Sequence, residues 1–127
     1  MKINTHQRID PTLCGHPMEV SDGASRVALK TMATMAADES GLVHGGFIFG
    51  LADYAAMIAV NHPNVVLGAA DVKFLKPVSV GDTVEAKAKV EEVQGKKHWV
   101  AVSVVKDEDI YMQGMFTCFA LDHHVLG

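Results

Sequence analysis

The chain has 127 residues, of which 49% are apolar but only 6% aromatic, and its formal net charge is −4. That length fits one domain, residues 1–127, whose core buries roughly two-thirds of the unfolded surface. Low charge with high apolarity excludes disorder, and the mild acidic balance argues against nucleic acid as a partner. Cys14 and Cys118 stand far apart and outside any Cys-x-x-Cys pair, so neither a zinc site nor a redox pair is expected. The polar start, Met1 to Pro11, has no apolar signal core, and a cytoplasmic protein without a disulfide is expected. The longest apolar stretch, Gly45 to Val60, falls short of the roughly 20 residues of a membrane span and contains Asp53, so no membrane association is expected.

In chain order, Met1 to about Asp22 mixes Pro11, Gly15 and Pro17 with charges and has no clean period. It is expected to be an irregular lead-in with a short helical turn. Ala24 to Ala37 alternates imperfectly and is expected as a strand, closed by the turn Asp38-Glu39-Ser40-Gly41. After His44-Gly45-Gly46, the segment Phe47 to Val60 has no proline and is apolar nearly all round. That composition predicts a helix buried on most sides. Asn61-His62-Pro63-Asn64 ends it, because the residue before proline avoids the α region.

The period then changes to two. Val65 to Pro77 reads as a strand and Val78 to Asp82 as a turn. Val84, Ala86, Ala88 and Val90 alternate with Glu85, Lys87 and Lys89, which predicts a half-buried strand. Gln94-Gly95-Lys96-Lys97 marks a hairpin. Trp99 to Lys106 and Ile110 to Leu121 are two further strands around the turn Asp107-Glu108-Asp109, and the tail from Asp122 is expected to fray. The four late strands have meander spacing. One apolar helix needs cover, and a strongly curved antiparallel sheet of about five to six strands would supply it, which is an α+β architecture.

No Lys or Arg occurs between Lys30 and Lys73, an interval that holds the whole apolar helix and its single carboxylate, Asp53. Burying such a group without a cation is costly. Asp53 either faces a cleft, as a candidate base or nucleophile, or lies on an exposed face of the helix. His44-Gly45-Gly46 stands where the first helical amides have no internal acceptor. Glycine there lets a ligand carbonyl approach, and an amide on a thioester carbonyl would stabilise the developing oxyanion. The alternative is a plain glycine-containing helix entry. Gly45 and Asp53 are eight residues apart, about 12 Å of helical rise. They cannot both touch one carbonyl group, so joint action requires two antiparallel helices from two subunits. His6, His16, His62 and His98 lack metal-ligand spacing and are expected in surface or turn roles; His123-His124 is a poor ligand pair, and no metal is expected. Lys73 and Lys76 flank Phe74-Leu75, where they either meet nucleotide phosphates at a cleft mouth or solvate a strand edge.

Gly41-Leu42-Val43-His44-Gly45-Gly46, followed by Leu51-Ala52-Asp53, resembles the signature of hotdog-fold acyl-CoA thioesterases of the phenylacetate-degradation type. Asp71 to Pro77 and Gly81-Asp82-Thr83-Val84 resemble the following strand and turn of that family. The resemblance covers roughly residues 20 to 121. It implies a hotdog fold, a homodimer or homotetramer, and acyl-CoA as substrate, with no cofactor beyond the coenzyme A of the substrate itself. By the same resemblance Asp53 matches the catalytic carboxylate, as nucleophile or general base, Gly45 the amide that polarises the thioester, and His44 the histidine beside it. Gly46, Asp38, Phe74 and Lys76 are the expected substrate contacts. Asp38 stands where some relatives have an asparagine six residues before the histidine; if it enters the site, two carboxylates compete for ionisation. Ala69 to Pro77 and Asp82 to Val90 also resemble the ligand domain of a bacterial fatty-acid regulator, so the alternative is a non-catalytic acyl-CoA-binding module. A hotdog dehydratase would need a different histidine-containing loop motif, which is absent.

Overall fold

The computed structural model describes every residue from Met1 to Gly127. A four-residue helix, α1 (Pro11–Cys14), leads into β1 (His16–Ser21) and β2 (Ala24–Lys30). A 3₁₀ turn (Ala33–Met35) precedes the long helix α2 (Gly45–Val60), and β3 (Val65–Phe74), β4 (Thr83–Gln94), β5 (Lys97–Lys106) and β6 (Asp109–Ala120) follow. All six strands form one antiparallel sheet in the order β1-β2-β4-β5-β6-β3. No helix is long and apolar enough to cross a membrane.

Helix α2 follows from its ends as much as from its apolar interior. His44 is extended and its Nδ1 accepts the Gly46 N–H at 2.8 Å, which caps the start. Asn61 takes the left-handed conformation (φ 55°) and its N–H bonds back to Met57 O, which closes the last turn. Between them Leu51, Ala52, Ala55, Ala56, Met57, Ile58 and Ala59 are almost completely buried. The helix touches all six strands. A flat six-stranded sheet is about 24 Å wide and a helix about 10 Å, so the sheet must curl around it.

The inner face of the sheet is set by register. Val27 pairs with Ala86, Ala86 with Val104, Val104 with Met112, and Met112 with Phe74, one row across five strands. Helix α2 packs on β4, and small residues from both elements, Ala55, Ala56 and Ala59 of the helix and Ala86 and Ala88 of the strand, belong to one buried cluster. The far side of the helix is covered by the lead-in, where α1 packs on α2 and Ile3, Ile9 and Cys14 lie against the core.

Several expectations need correction. The lead-in contains a strand, β1, hidden in the sequence by Pro17 and by a bulge between Pro17 and Glu19 that breaks the alternation. The strand expected over Ala24 to Ala37 stops at Lys30, where the Thr31 N–H and hydroxyl both turn to the Asp82 carbonyl and the chain passes into the 3₁₀ turn at Ala33. β3 ends at Phe74 rather than Pro77, since the Leu75 and Lys76 amides both turn to Tyr111 O. β4 runs on through a bulge to Gln94. The late strands are not a four-strand meander: β2 occupies the free edge of β4, so β3 lies at the opposite side of the sheet against β6. The tail from Asp122 is held by an ion pair to Lys96 at 2.8 Å, and His124 and Val125 reach back to line a cavity described below.

Close approach of sheet and helix depends on alanine at the crossing. Ala86→Leu should therefore destabilise the fold by about 1–3 kcal/mol through overpacking. A fall in Tm measures it, and an unchanged Tm would show that the crossing has room to spare.

Candidate active site

Two cavities open along α2, one at each end of the stretch from Gly45 to Asp53. The first, about 260 Å³, is lined by Leu42, Gly45, Ile48, Phe74, Lys76 and Tyr111, among others. The second, about 400 Å³, is lined by Thr5, His6, Asp53, Met57, Asn64 and His124, among others. Gly45 and Asp53 stand on the same continuous helix, so their separation is the about 12 Å given by the helical rise. One chain does not bring them together.

The two glycines at the start of α2 do different work. A side chain at Gly46 would meet the His44 imidazole at 2.9 Å, so Gly46 is required by the cap, and its amide is consumed there. A side chain at Gly45 would meet only the Phe74 ring at 3.5 Å, an ordinary contact. The Gly45 N–H has no acceptor in the chain and opens on the first cavity. His44 itself is exposed and spends its Nδ1 on the cap, leaving Nε2 free.

Phe74 is exposed and forms one wall of that cavity. Lys76 lines it too, held by Asp109 at 3.1 Å and lying 5.9 Å from the centre of the Tyr111 ring. Asp38 lines neither cavity. It closes its own turn by accepting the Ser40 N–H at 2.9 Å and the Ser40 hydroxyl at 2.6 Å, and these bonds hold its carboxyl below the usual range. Within the chain it does not compete with Asp53 for a proton.

Asp53 is the electrostatic anomaly of the molecule. It is half-buried, and its Oδ1 is buried without any hydrogen-bond partner. Burial alone pushes its pKa up to about 6, with no cation to counter it. The Asp53 charge in turn helps raise the thiols of Cys14 and Cys118, which burial already pushes up. His6 and His124 share the Asp53 cavity, a placement that sequence spacing did not signal because both lie far from the helix in the chain. The histidines and acids do not gather into a cluster of three metal ligands. The largest concavity, about 610 Å³, lies elsewhere, on the outer face of the sheet among Lys73, Lys87, Lys89, Ser103 and Gln113. It holds no unsatisfied buried group.

The raised Asp53 pKa has a stability consequence. Below the unfolded value near 3.8 the group is protonated in both states and costs nothing; above about 6 the ionised, buried form destabilises the fold in full. Asp53→Asn should therefore stabilise the protein at pH 8 by up to about 3 kcal/mol and leave it unchanged near pH 3.5. Denaturation at the two pH values reads the difference, and equal effects at both would contradict the assignment.

The comparisons with known proteins agree with this architecture. The family model described as Thioesterase superfamily matches residues 40–112, which include Gly45, Asp53 and Phe74. A methylthioribose-1-phosphate isomerase of Aquifex aeolicus is 55% identical over 123 residues, 96% of this chain but 27% of that protein. The transcription factor FapR of Thermoanaerobacter is 35% identical over 86 residues, 67% of this chain and 42% of the relative. The chain thus spans about a quarter and about two-fifths of the lengths of these relatives. Among solved structures, an uncharacterized protein of Pyrococcus horikoshii superimposes with a TM-score of 0.99 at 50% identity, covering 100% of this chain and 98% of the other. A variant of the phenylacetic acid degradation protein PaaI of Thermus thermophilus gives a TM-score of 0.78 at 27% identity, covering 86% and 95%. The sheet curled round one buried helix is the hotdog fold, and the chain belongs to the Thioesterase superfamily.

Proposed function

We propose that the protein hydrolyses an acyl-CoA thioester at a site completed by two copies of the chain, with Asp53 of one copy and the Gly45 amide of the other. The observation that carries this reading is the Asp53 Oδ1, buried, unpartnered and facing a cavity in a region without cations. A base with a pKa near 6 is ionised at neutral pH and still accepts a proton from water. The superfamily membership and the similarity to PaaI support the thioester as substrate.

The shared site is supported by the spacing on α2. Gly46, Gly50 and Asp53 form one stripe, at helical steps of four and three. A side chain at Gly50 would meet nothing within 4 Å, so this flank has open space. A two-fold axis crossing the helix near Phe49 and Gly50 sets residue 45 of one copy opposite residue 53 of the other, because 49 is their midpoint. The Gly45 and Asp53 cavities would then merge.

The chemistry follows from these groups. Asp53 takes a proton from water as the water oxygen bonds to the acyl carbon. The carbonyl pair moves onto oxygen, where the Gly45 N–H holds it. Collapse reforms the carbonyl and breaks the carbon–sulfur bond, with the electron pair leaving on sulfur. Asp53 acting first as nucleophile, through a mixed anhydride that water then opens, uses the same two groups. Phe74 and Lys76 line the approach to Gly45 and suit the pantetheine arm and a phosphate respectively. The second reading, a non-catalytic binding module, is favoured by the similarity to FapR. It leaves the unpartnered Asp53 without a role.

Thiol release measured over a panel of acyl-CoAs distinguishes the two readings. Asp53→Asn should lower kcat by at least about 100-fold, and wild-type kcat/KM should rise with pH through about 6 and then level. Binding without thiol release across the panel would favour the module. Gly45→Pro is a clean deletion of the amide, because proline suits the first helical position and His44 is already extended (ψ 130°) as a residue before proline must be. It should cost about 10²–10³ in rate with Tm retained; an unimpaired rate would remove that amide from the mechanism.

A further inference from the structure

The Asp53 cavity has a second wall that the mechanism above does not use. It is built by the first residues of the chain. Asn61, the C-cap of α2, accepts the Asn4 N–H on Oδ1 at 2.7 Å and donates from Nδ2 to Lys2 O at 2.8 Å. This two-way clamp fixes the segment on the end of the helix. Thr5 is buried (4% exposed), and His6 takes a left-handed backbone (φ 53°), which is uncommon for a residue other than glycine. Backbone strain of this kind persists only where the surroundings enforce it. Its effect here is to set the imidazole on the cavity wall, with its ring 6.5 Å from that of Tyr54, the residue after Asp53.

The ring is also oriented. His6 Nδ1 lies 2.8 Å from the Thr5 hydroxyl, which has no other partner. With Nδ1–H donating to the Thr5 hydroxyl oxygen, the neutral ring keeps its lone pair on Nε2, its free nitrogen, where it can take up a proton. The other polar side chains of the cavity differ from it in engagement or in exposure. Asn64 donates to Leu121 O at 3.2 Å, and the exposed His124 accepts the Leu126 N–H at 3.0 Å on Nδ1. His6 is thus the half-buried, oriented acid–base group on the wall that holds the orphan carboxylate.

Resting on the thioesterase reading, we infer that His6 is the relay residue of the site: through water in the cavity its Nε2 steadies the Asp53 carboxylate and returns the proton that Asp53 takes from the attacking water. The cavity is roomy enough for such a water and offers it polar partners on both sides. The proton balance closes without a co-reactant. Water gives one proton to Asp53, Asp53 gives it through water to Nε2, and the imidazolium gives it to the departing sulfur, yielding a thiol and a carboxylic acid. Burial lowers the His6 pKa while raising that of Asp53, so the two groups approach one another in proton affinity, which suits transfer in both directions. The titratable groups facing this pair are His124 in the cavity, Tyr54 on α2, Cys14 on α1 and Cys118 on β6. No lysine or arginine lines the cavity.

The test is steady-state thiol release from pH 5 to 9 with an acyl-CoA that the wild type hydrolyses, using His6→Gln and His6→Ala with and without added imidazole. His6→Gln should lower kcat by about 10- to 100-fold, within the range of lost acid–base help, with KM changed less than about two-fold and the pH profile altered. Imidazole should restore part of the His6→Ala rate. Thermal melting identifies which variant stays folded, and a folded His6→Gln suffices. A His6→Gln kcat and pH profile like the wild type would overturn the relay, as would a rate loss with an unaltered profile and no rescue. With wild-type activity intact and Asp53→Asn inactive, such results overturn the relay alone. No thiol release from the wild type over the whole panel would overturn the relay and the thioesterase reading together.

Discussion

A helix that is apolar nearly all round has to be covered nearly all round, and most of this structure answers that constraint. The sheet curls to reach α2 from all six strands, and alanine at the crossing lets it come close. The lead-in folds over the far side, where a sheet of this width cannot reach. What remains is one flank, the stripe of Gly46, Gly50 and Asp53. It is open at Gly50, and the chemistry proposed for the molecule sits on that flank.

The same constraint explains the electrostatics. The sequence supplies no Lys or Arg between Lys30 and Lys73, and none lines the Asp53 cavity. Asp53 is therefore held in an environment that disfavours its charge, with no internal partner to relieve it. The fold bears that destabilisation at neutral pH, as functional sites commonly do. Asp38 makes the contrast: an acid tied into its own turn by Ser40 is stabilised as a carboxylate and is spent structurally.

The helix was legible from its unbroken apolar run, its stop at Asn61 to Asn64 from Pro63, and the late strands from their period of two. β1 was not, since Pro17 and a bulge erase its alternation. The position of β3 was not either, because pairing across the sheet depends on which edge β2 leaves free. In the candidate site, Asp53 and Gly45 could be singled out from charge distribution and helix-end chemistry, and their spacing already required two subunits for joint action. The division of labour between Gly45 and Gly46 is set by the fold, since only the imidazole cap distinguishes them. His6 is expected in a surface or turn role, and it does open a turn, its carbonyl accepting the Ile9 N–H. Its place beside Asp53 depends on the Asn61 clamp and a left-handed backbone, neither of which has a sequence period.

The central claim is that the buried carboxylate of one chain works with the free amide of another. The direct measurement is complementation between two inactive variants, Asp53→Asn and Gly45→Pro, unfolded together, refolded together and assayed for thiol release. Random pairing makes half the dimers hybrid, each with one intact site and one doubly damaged site, so the mixture should regain roughly one quarter of wild-type turnover. A mixture no more active than its separate components would contradict the shared site.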